Sequence, residues 1–401
     1  MQENNISANN FEQCVKCSIC VDACPLSRIS PAYPGPKQAG PDGERLRLKD
    51  ASSFDKALKM CLNCKRCEVA CPSDVNIAGI IQNAREKYGH QKPSLRDRML
   101  ASTDLMGSLA RPVAPLVNAI TAAKPVKAAM HSLMGIDHRR IFPKYSSRGF
   151  ESWFRREAEE EQRRFDRQVS YFHGCYVEYN NPQLGRDFVK VMNALGYGVR
   201  LLESERCCGV AMISAGMFDA ARRNAEANLA SIRSAGKPVL TTSTTCTLTI
   251  REEYGDILGL DAAAARENLT LALKFIYEAV ERGDAVPRWR DGFHARVAYH
   301  APCHMVRLGW EYFSIELLRM IPGLELVELP SNCCGIAGTY GFKKENYDNS
   351  QAIGKPLFED IARTAPDYVA CECETCKWQI EMSTGFEVRN PISILAEALA
   401  G

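Results

Sequence analysis

No stretch of this chain reaches the roughly 20 uninterrupted apolar residues that a membrane-spanning helix requires, so any membrane contact is expected to be peripheral. A secretion signal is missing as well: Met1–Gln13 is polar and rich in Asn, with no charged segment leading into an apolar core. Charge of one sign is scarce, since the formal net charge is +2, which gives no reason to expect a nucleic-acid partner. No G-x-G-x-x-G follows a strand-like run and there is no P-loop, so the chain carries no dinucleotide fingerprint for FAD or NAD. A flavin, if the chemistry needs one, is expected in a partner.

Cysteine is plentiful, and its distribution organises the chain. Of 18 cysteines, eight lie from Cys14 to Cys71, none between Pro72 and Gly174, and ten from Cys175 to Cys376. A chain of 401 residues with 46% hydrophobic and 24% charged residues is ordinary globular protein of two or three domains. It is too long for a small disulfide-stapled domain, so reduced thiolates holding metal are expected in a cytoplasmic setting.

Cys14-x2-Cys17-x2-Cys20-x3-Cys24-Pro25 is the bacterial ferredoxin run, and Cys61-x2-Cys64-x2-Cys67-x3-Cys71-Pro72 repeats it. Two intervening residues let a tight loop present three thiolates to three irons of one cube, while the fourth cysteine reaches the other cube. The expected sets are Cys14, Cys17, Cys20 and Cys71 for one [4Fe–4S] cluster, and Cys61, Cys64, Cys67 and Cys24 for a second. Zinc or disulfides are the competing readings, but zinc takes four ligands without such interleaving. The 36 residues between Cys24 and Cys61 hold Pro34-Gly35-Pro36, Gly40-Pro41-Asp42-Gly43 and an expected helix over Glu44–Lys59. This resembles the helical ferredoxin domain of quinone-linked dehydrogenases; an ordinary loop insertion is the alternative.

The C-terminal part reads as a duplication. Tyr171-Phe172-His173-Gly174-Cys175 parallels Tyr299-His300-Ala301-Pro302-Cys303, and Cys207-Cys208-Gly209 parallels Cys333-Cys334-Gly335. Between these landmarks, strand-like runs near Val169 and Val297 precede helices over Gln183–Leu195 and Gly309–Met320. Strands over Gly198–Leu202 and Leu324–Leu329 follow, then helical periodicity over Ala215–Ala235 and Glu345–Thr364, then β-rich runs over Pro238–Cys246 and Tyr368–Cys376. Alternating strands and helices predict two pseudo-symmetric α/β lobes. Adjacent cysteines chelate one small ion poorly and strain a disulfide, but they suit a cluster in which sulfurs bridge irons. The second lobe supplies Cys303, Cys333, Cys334, Cys373 and Cys376. The first supplies Cys175, Cys207, Cys208 and Cys246, with Ser243 where Cys373 aligns. Some of these cysteines could instead be buried core residues or zinc ligands. Cys371 falls outside the pattern and reads as structural. His173, His300 and His304 flank the repeat starts, either tuning a cluster or serving as ordinary structural histidines.

These lobes resemble the cysteine-rich CCG domain family of heterodisulfide reductases and of the iron–sulfur subunits that serve lactate, glycolate and glycerol-3-phosphate oxidation. The segments Tyr33–Asp50, Cys333–Tyr347 and Cys373–Thr384 bring the resemblance down to the C-subunit family of anaerobic glycerol-3-phosphate dehydrogenases, over nearly the whole chain from Phe11. The resemblance implies an α+β protein: a mainly helical ferredoxin domain (1–90), a connector (91–168), and duplicated α/β lobes like those of the heterodisulfide reductase B subunit (169–290 and 291–401). It implies two cubane clusters plus one further non-cubane cluster in the second lobe, or two if the first, incomplete set is also loaded. FAD is expected only in flavoprotein catalytic subunits, with electrons leaving toward a menaquinone-type membrane quinone. The implied location is peripheral, on the cytoplasmic face of the inner membrane. An enzyme reducing substrate at the non-cubane site, as in heterodisulfide reductases, or the iron–sulfur subunit of a lactate or glycolate oxidase, is the other function class. The implied subunit is not catalytic alone.

The cysteine-free middle adds one expectation of its own. Leu105–Arg148 carries seven Lys/Arg against Asp137 alone, interleaved with apolar residues and broken by Pro112, Pro115 and Pro125. Short amphipathic helices with Arg111, Lys124, Lys127, Arg139 and Arg140 on an anionic membrane surface are expected; packing against a partner or the chain's own core is the alternative. Arg155–Arg167 reads as a solvated connector.

Overall fold

The computed structural model describes residues 10–89, 92–236 and 238–400. Most of the polar N-terminal segment, residues 1–9, lies outside the described residues.

The N-terminal part is built from short helices, because cysteine motifs and prolines interrupt it every few residues. Pro36–Ala39, Pro41–Arg47, Asp55–Leu58, Arg66–Val69 and Ile77–Tyr88 are its main helices. The helix expected over Glu44–Lys59 is broken. Arg47 turns inward to Glu44 (3.0 Å) and to the Ala39 carbonyl (2.9 Å), and the Asp50 carboxylate accepts from the Ser52 amide (3.0 Å), closing a turn that ends the helix. Leu26, Leu58, Ile77, Ile80 and Ile81 make a small core, which Cys333 and Ile353 of the second lobe join.

Each C-terminal lobe is a four-stranded all-parallel sheet. In the first, β1 (Arg167–Phe172), β2 (Tyr197–Leu201), β3 (Val239–Thr241) and β4 (Leu269–Leu271) lie in the order β2-β1-β3-β4. In the second, β5 (Ala295–Tyr299), β6 (Leu324–Glu328), β7 (Tyr368–Ala370) and β8 (Val388–Arg389) repeat that order as β6-β5-β7-β8. Parallel strands covered by helices read as continuous apolar runs, as Val239-Leu240-Thr241, wholly buried, illustrates. The two lobes share one apolar core, in which Tyr171, Phe188 and Leu240 meet Val297, Tyr299 and Leu395.

Further elements of the lobes and connector differ from the sequence expectation. The runs over Pro238–Cys246 and Tyr368–Cys376 stay extended for only three residues. Ser243 then caps the helix Thr244–Leu248 by accepting from the Cys246 amide, and Glu374–Thr384 is its counterpart. The helix expected over Ala215–Ala235 starts at Phe218, because Gly216, at φ +76°, ends a separate short helix, Val210–Ala215, just before it. The segment after Gly149 is solvated on one side only: Phe150, Phe154, Ala158 and Gln162 are buried against the first lobe, and Gln162 accepts from the Val199 amide (3.1 Å).

Candidate metal centres

Four groups of cysteines converge. Cys14, Cys17, Cys20 and Cys71 line one small cavity, with Ser18, Lys37 and Ile77. Cys61, Cys64, Cys67 and Cys24 line a second, with Tyr33, Pro36 and Lys65. The fourth cysteine of each run thus sits with the three of the other. The backbone explains the convergence. Lys16, Ser18, Asn63 and Lys65 have φ of 62°, 70°, 52° and 62°, so the same left-handed steps recur in both loops and fold three thiols around one point. For non-glycine residues such steps cost about 1–2 kcal/mol each. Without a cation the packed thiols oppose ionisation: burial, then Cys14, Cys71 and Cys17, push Cys20 up to about 11, and burial leads in pushing Cys61 up to about 11. Bound iron reverses that balance. Thiols held inward by strained loops, with the Asn63 and Val75 amides 3.4 Å from Cys61 and Cys71 sulfur, fit an iron–sulfur cluster in each cavity.

In the first lobe Cys175, Cys207, Cys208 and Cys246 form a continuous series of thiol contacts. The Cys-Cys-Gly loop is held by Asn224 on the Cys207 carbonyl (3.1 Å) and by the Tyr254 hydroxyl on the Cys208 carbonyl (3.0 Å). Ser243 occupies its hydroxyl with the Cys246 amide (3.3 Å) and Glu374 (3.1 Å), which leaves this set one thiol short. Asp104, from the connector helix Thr103–Ala110, accepts from the Cys207 amide (2.9 Å). Burial and then Cys207 push its carboxyl up to about 7. Sequence reasoning missed Asp104 because it lies outside every cysteine motif. His173 is an ordinary paired histidine here: its Nδ1 is 2.7 Å from Glu205, and Glu178 lies at 3.8 Å.

The second lobe brings together Cys303, Cys333, Cys334, Cys373 and Cys376. Cys334 and Cys376 sulfurs are 3.1 Å apart, and the Gly335 amide points at Cys333 sulfur (3.4 Å). Five converging buried or half-buried thiols fit an iron–sulfur group better than a single ion. Cys371, read from sequence as structural, lies in this group too, beside Cys376 and His300. A cavity of about 520 Å3 between the lobes opens onto Cys371, Cys373, Glu374 and Lys377 on one side and Tyr176 and Lys190 on the other. Burial, then Cys373, push the Glu374 carboxyl up to about 8.

The dicluster part docks directly on this lobe. The Cys64 and Cys303 thiols face each other across this junction, each raising or lowering the other's readiness to ionise. Arg66 Nε donates to Cys303 sulfur (3.4 Å) and its Nη1 to the Ser331 carbonyl (2.8 Å). Arg307 pairs with Glu68 (3.2 Å), and His304 Nε2 lies 3.3 Å from the Asn63 carbonyl. Toward the first lobe, Asn63 donates to Glu253 (2.7 Å).

The basic residues expected on a membrane divide. Arg140 is 1% exposed and donates to the Gly341 carbonyl, Gln379 and Ser350, so it is an internal strut. Arg111 is tied to Glu178. Arg139 is tied to Asp137 (2.9 Å) and Asp348 (3.0 Å). Arg140 thus has no surface to offer a headgroup, whereas Arg111 is half-buried and Arg139 exposed, each already paired with a carboxylate. Lys124 is exposed and Lys127 half-exposed. The apolar residues stand out more, with Leu105 56%, Leu109 63%, Leu116 60% and Leu133 86% exposed. Among the described residues no helix is long and apolar enough to cross a membrane.

Fold and cysteine geometry define a dicluster ferredoxin part carrying two cysteine-rich lobes. Family models agree: residues 10–75 match the 4Fe-4S dicluster domain, and 169–251 and 297–381 the cysteine-rich domain CCG. The chain is 54% identical over 98% of its length, and 99% of the relative's, to the C subunit of anaerobic glycerol-3-phosphate dehydrogenase from Escherichia coli K12, and it belongs to that family. More distant relatives include the B subunit of fumarate reductase (CoM/CoB) from Methanothermobacter marburgensis (24%, covering 95% of this chain and 70% of that one). The glycolate oxidase iron–sulfur subunit of Escherichia coli K12 is 23% identical, covering 96% and 93%.

Proposed function

We propose that this chain is the electron-transfer subunit of an anaerobic glycerol-3-phosphate:quinone oxidoreductase. It takes electrons from flavoprotein catalytic subunits and delivers them to a menaquinone-type quinone, from a peripheral position on the cytoplasmic face of the inner membrane. The observation that carries this reading is the Cys64–Cys303 contact, which leaves no intervening residue between the dicluster part and the second lobe. Iron–sulfur clusters, when bound, exchange single electrons. The chain's own residues set their spacing: Arg66, Arg307 and His304 clamp the two parts together, and Ser243, Thr244 and Thr245 join the first lobe to Glu374, Glu372 and Cys373 of the second.

The membrane element we assign is the apolar face of Leu105, Leu109, Val113, Leu116 and Ile120, flanked by Lys124 and Lys127. Because Asp104 on the same helix as Leu105 and Leu109 faces Cys207, this surface lies beside the first lobe. The inter-lobe cavity beside Cys371 and Cys373 favours a second reading, in which a small substrate is reduced at the second lobe. Reconstitution separates the two. Under the first, the iron-loaded chain alone turns over no glycerol 3-phosphate, and adding the flavoprotein subunits yields glycerol-3-phosphate-dependent reduction of a water-soluble menaquinone analogue. Turnover of glycerol 3-phosphate by the flavin-free chain, or a complex that never reduces the quinone, would defeat it.

A further inference from the structure

The duplication supplies an internal control. In the first lobe Phe172, at the end of β1, pairs in register with Thr241, at the end of β3. Phe172 packs in the apolar core, and the Thr241 hydroxyl is satisfied by the Ser243 amide (3.0 Å) and carbonyl (3.3 Å). The corresponding strands of the second lobe pair Tyr299 with Ala370, so the next residues, His300 and Cys371, occupy the places of Phe172 and Thr241. An inert pair in one lobe has become an imidazole and a thiol in the other.

His300 is 1% exposed, and neither ring nitrogen has a hydrogen-bond partner. A buried imidazole with both nitrogens unmatched costs stability unless something else engages it. One nitrogen of His300, the Cys371 sulfur and the Cys376 sulfur lie within 4.8 Å of one another. That spacing suits three donors on one metal ion, and nitrogen with two soft sulfurs is a donor set iron accepts. His173 has carboxylates where His300 has thiols: Glu205 lies 2.7 Å from its Nδ1 and Glu178 3.8 Å from its Nε2.

We propose that the second-lobe iron–sulfur site extends beyond its five motif cysteines to Cys371 and His300, which ligate iron together with Cys376. This rests on the reading that the second lobe holds iron and sulfide at all, and the experiment separates the two. Anaerobically reconstituted full-length protein is prepared as wild type, Cys334→Ser, His300→Phe and Cys371→Thr, the last two installing the first-lobe residues. Iron and sulfide are counted, and pulsed EPR is recorded on wild type and His300→Phe, both labelled with 15N-histidine. The expected result is a nitrogen coupling of the size of direct coordination in wild type, lost in His300→Phe, with iron lowered in Cys371→Thr while the ferredoxin-type signals persist. A coupling no larger than a hydrogen bond gives, or unchanged iron in Cys371→Thr, overturns the proposal. Absence of the coordination-sized coupling from labelled wild type overturns the proposal even where a variant fails to fold, and its loss in His300→Phe assigns it to this histidine rather than to His304. If Cys334→Ser keeps all its iron, the second-lobe cluster itself is refuted; if it loses iron and no coordinated nitrogen is found, only the present assignment falls.

Discussion

Arg140 shows what a charge count cannot see. In the sequence it is one of seven basic residues in a nearly acid-free segment. In the fold it is buried, donating to the Gly341 carbonyl, Gln379 and Ser350 and lying over Tyr347, 4.7 Å from the ring centroid. Burial lowers its pKa to about 10, still far above neutral, so it remains a cation held by dipoles. Arg140→Ala should therefore destabilise the second lobe by roughly 3 kcal/mol or more, since each buried group left unsatisfied costs about 1–3 kcal/mol. Lys124→Glu, on the surface, should stay within about 0.5 kcal/mol of wild type. Anaerobic denaturant titration followed by circular dichroism measures both, and equal stability of the two variants would contradict the strut assignment. The cysteines were legible one by one because their spacing is the chemistry. Asp104 and Cys371 were not, because each reaches its site through tertiary packing and no motif marks it.

At the scale of elements, helices were read better than the segments around the sites. The amphipathic stretches Pro182–Ala194, Glu311–Arg319 and Tyr347–Thr364 fall within a few residues of expectation, since each buries one apolar stripe. The run over Pro238–Cys246 was overread because its Thr residues have strand propensity, whereas Ser243 in its place caps a helix. The connector was legible as amphipathic, but its sequence could not say which residues fold inward. Binding through the apolar face predicts that Leu109→Glu with Leu116→Glu abolishes flotation with vesicles of phosphatidylglycerol and phosphatidylethanolamine while leaving the iron content unchanged. Lys124→Glu with Lys127→Glu should only weaken flotation, by about 1 kcal/mol per charge and less in high salt. Undiminished flotation of the leucine variant would remove the connector as the anchor.

For the whole molecule, the duplication in sequence became two sheets of identical strand order that share a core and differ in the side chains they gather at the strand ends. That asymmetry arises from single residues: Ser243 against Cys373, Phe172 against His300, Thr241 against Cys371. Docking between the dicluster part and the lobes was not legible, because Arg66, Asn63 and Arg307 are unremarkable until the chain brings Glu68, Glu253 and Cys303 to them. Everything proposed for electron flow depends on the eight N-terminal cysteines holding two cubanes and the second lobe holding a further cluster. The decisive experiment counts iron and acid-labile sulfide per chain in anaerobically purified wild type and Cys334→Ser. Wild type should hold more than the ~8 irons of two cubanes, and the variant should fall to that level; about eight in both would contradict the second-lobe cluster.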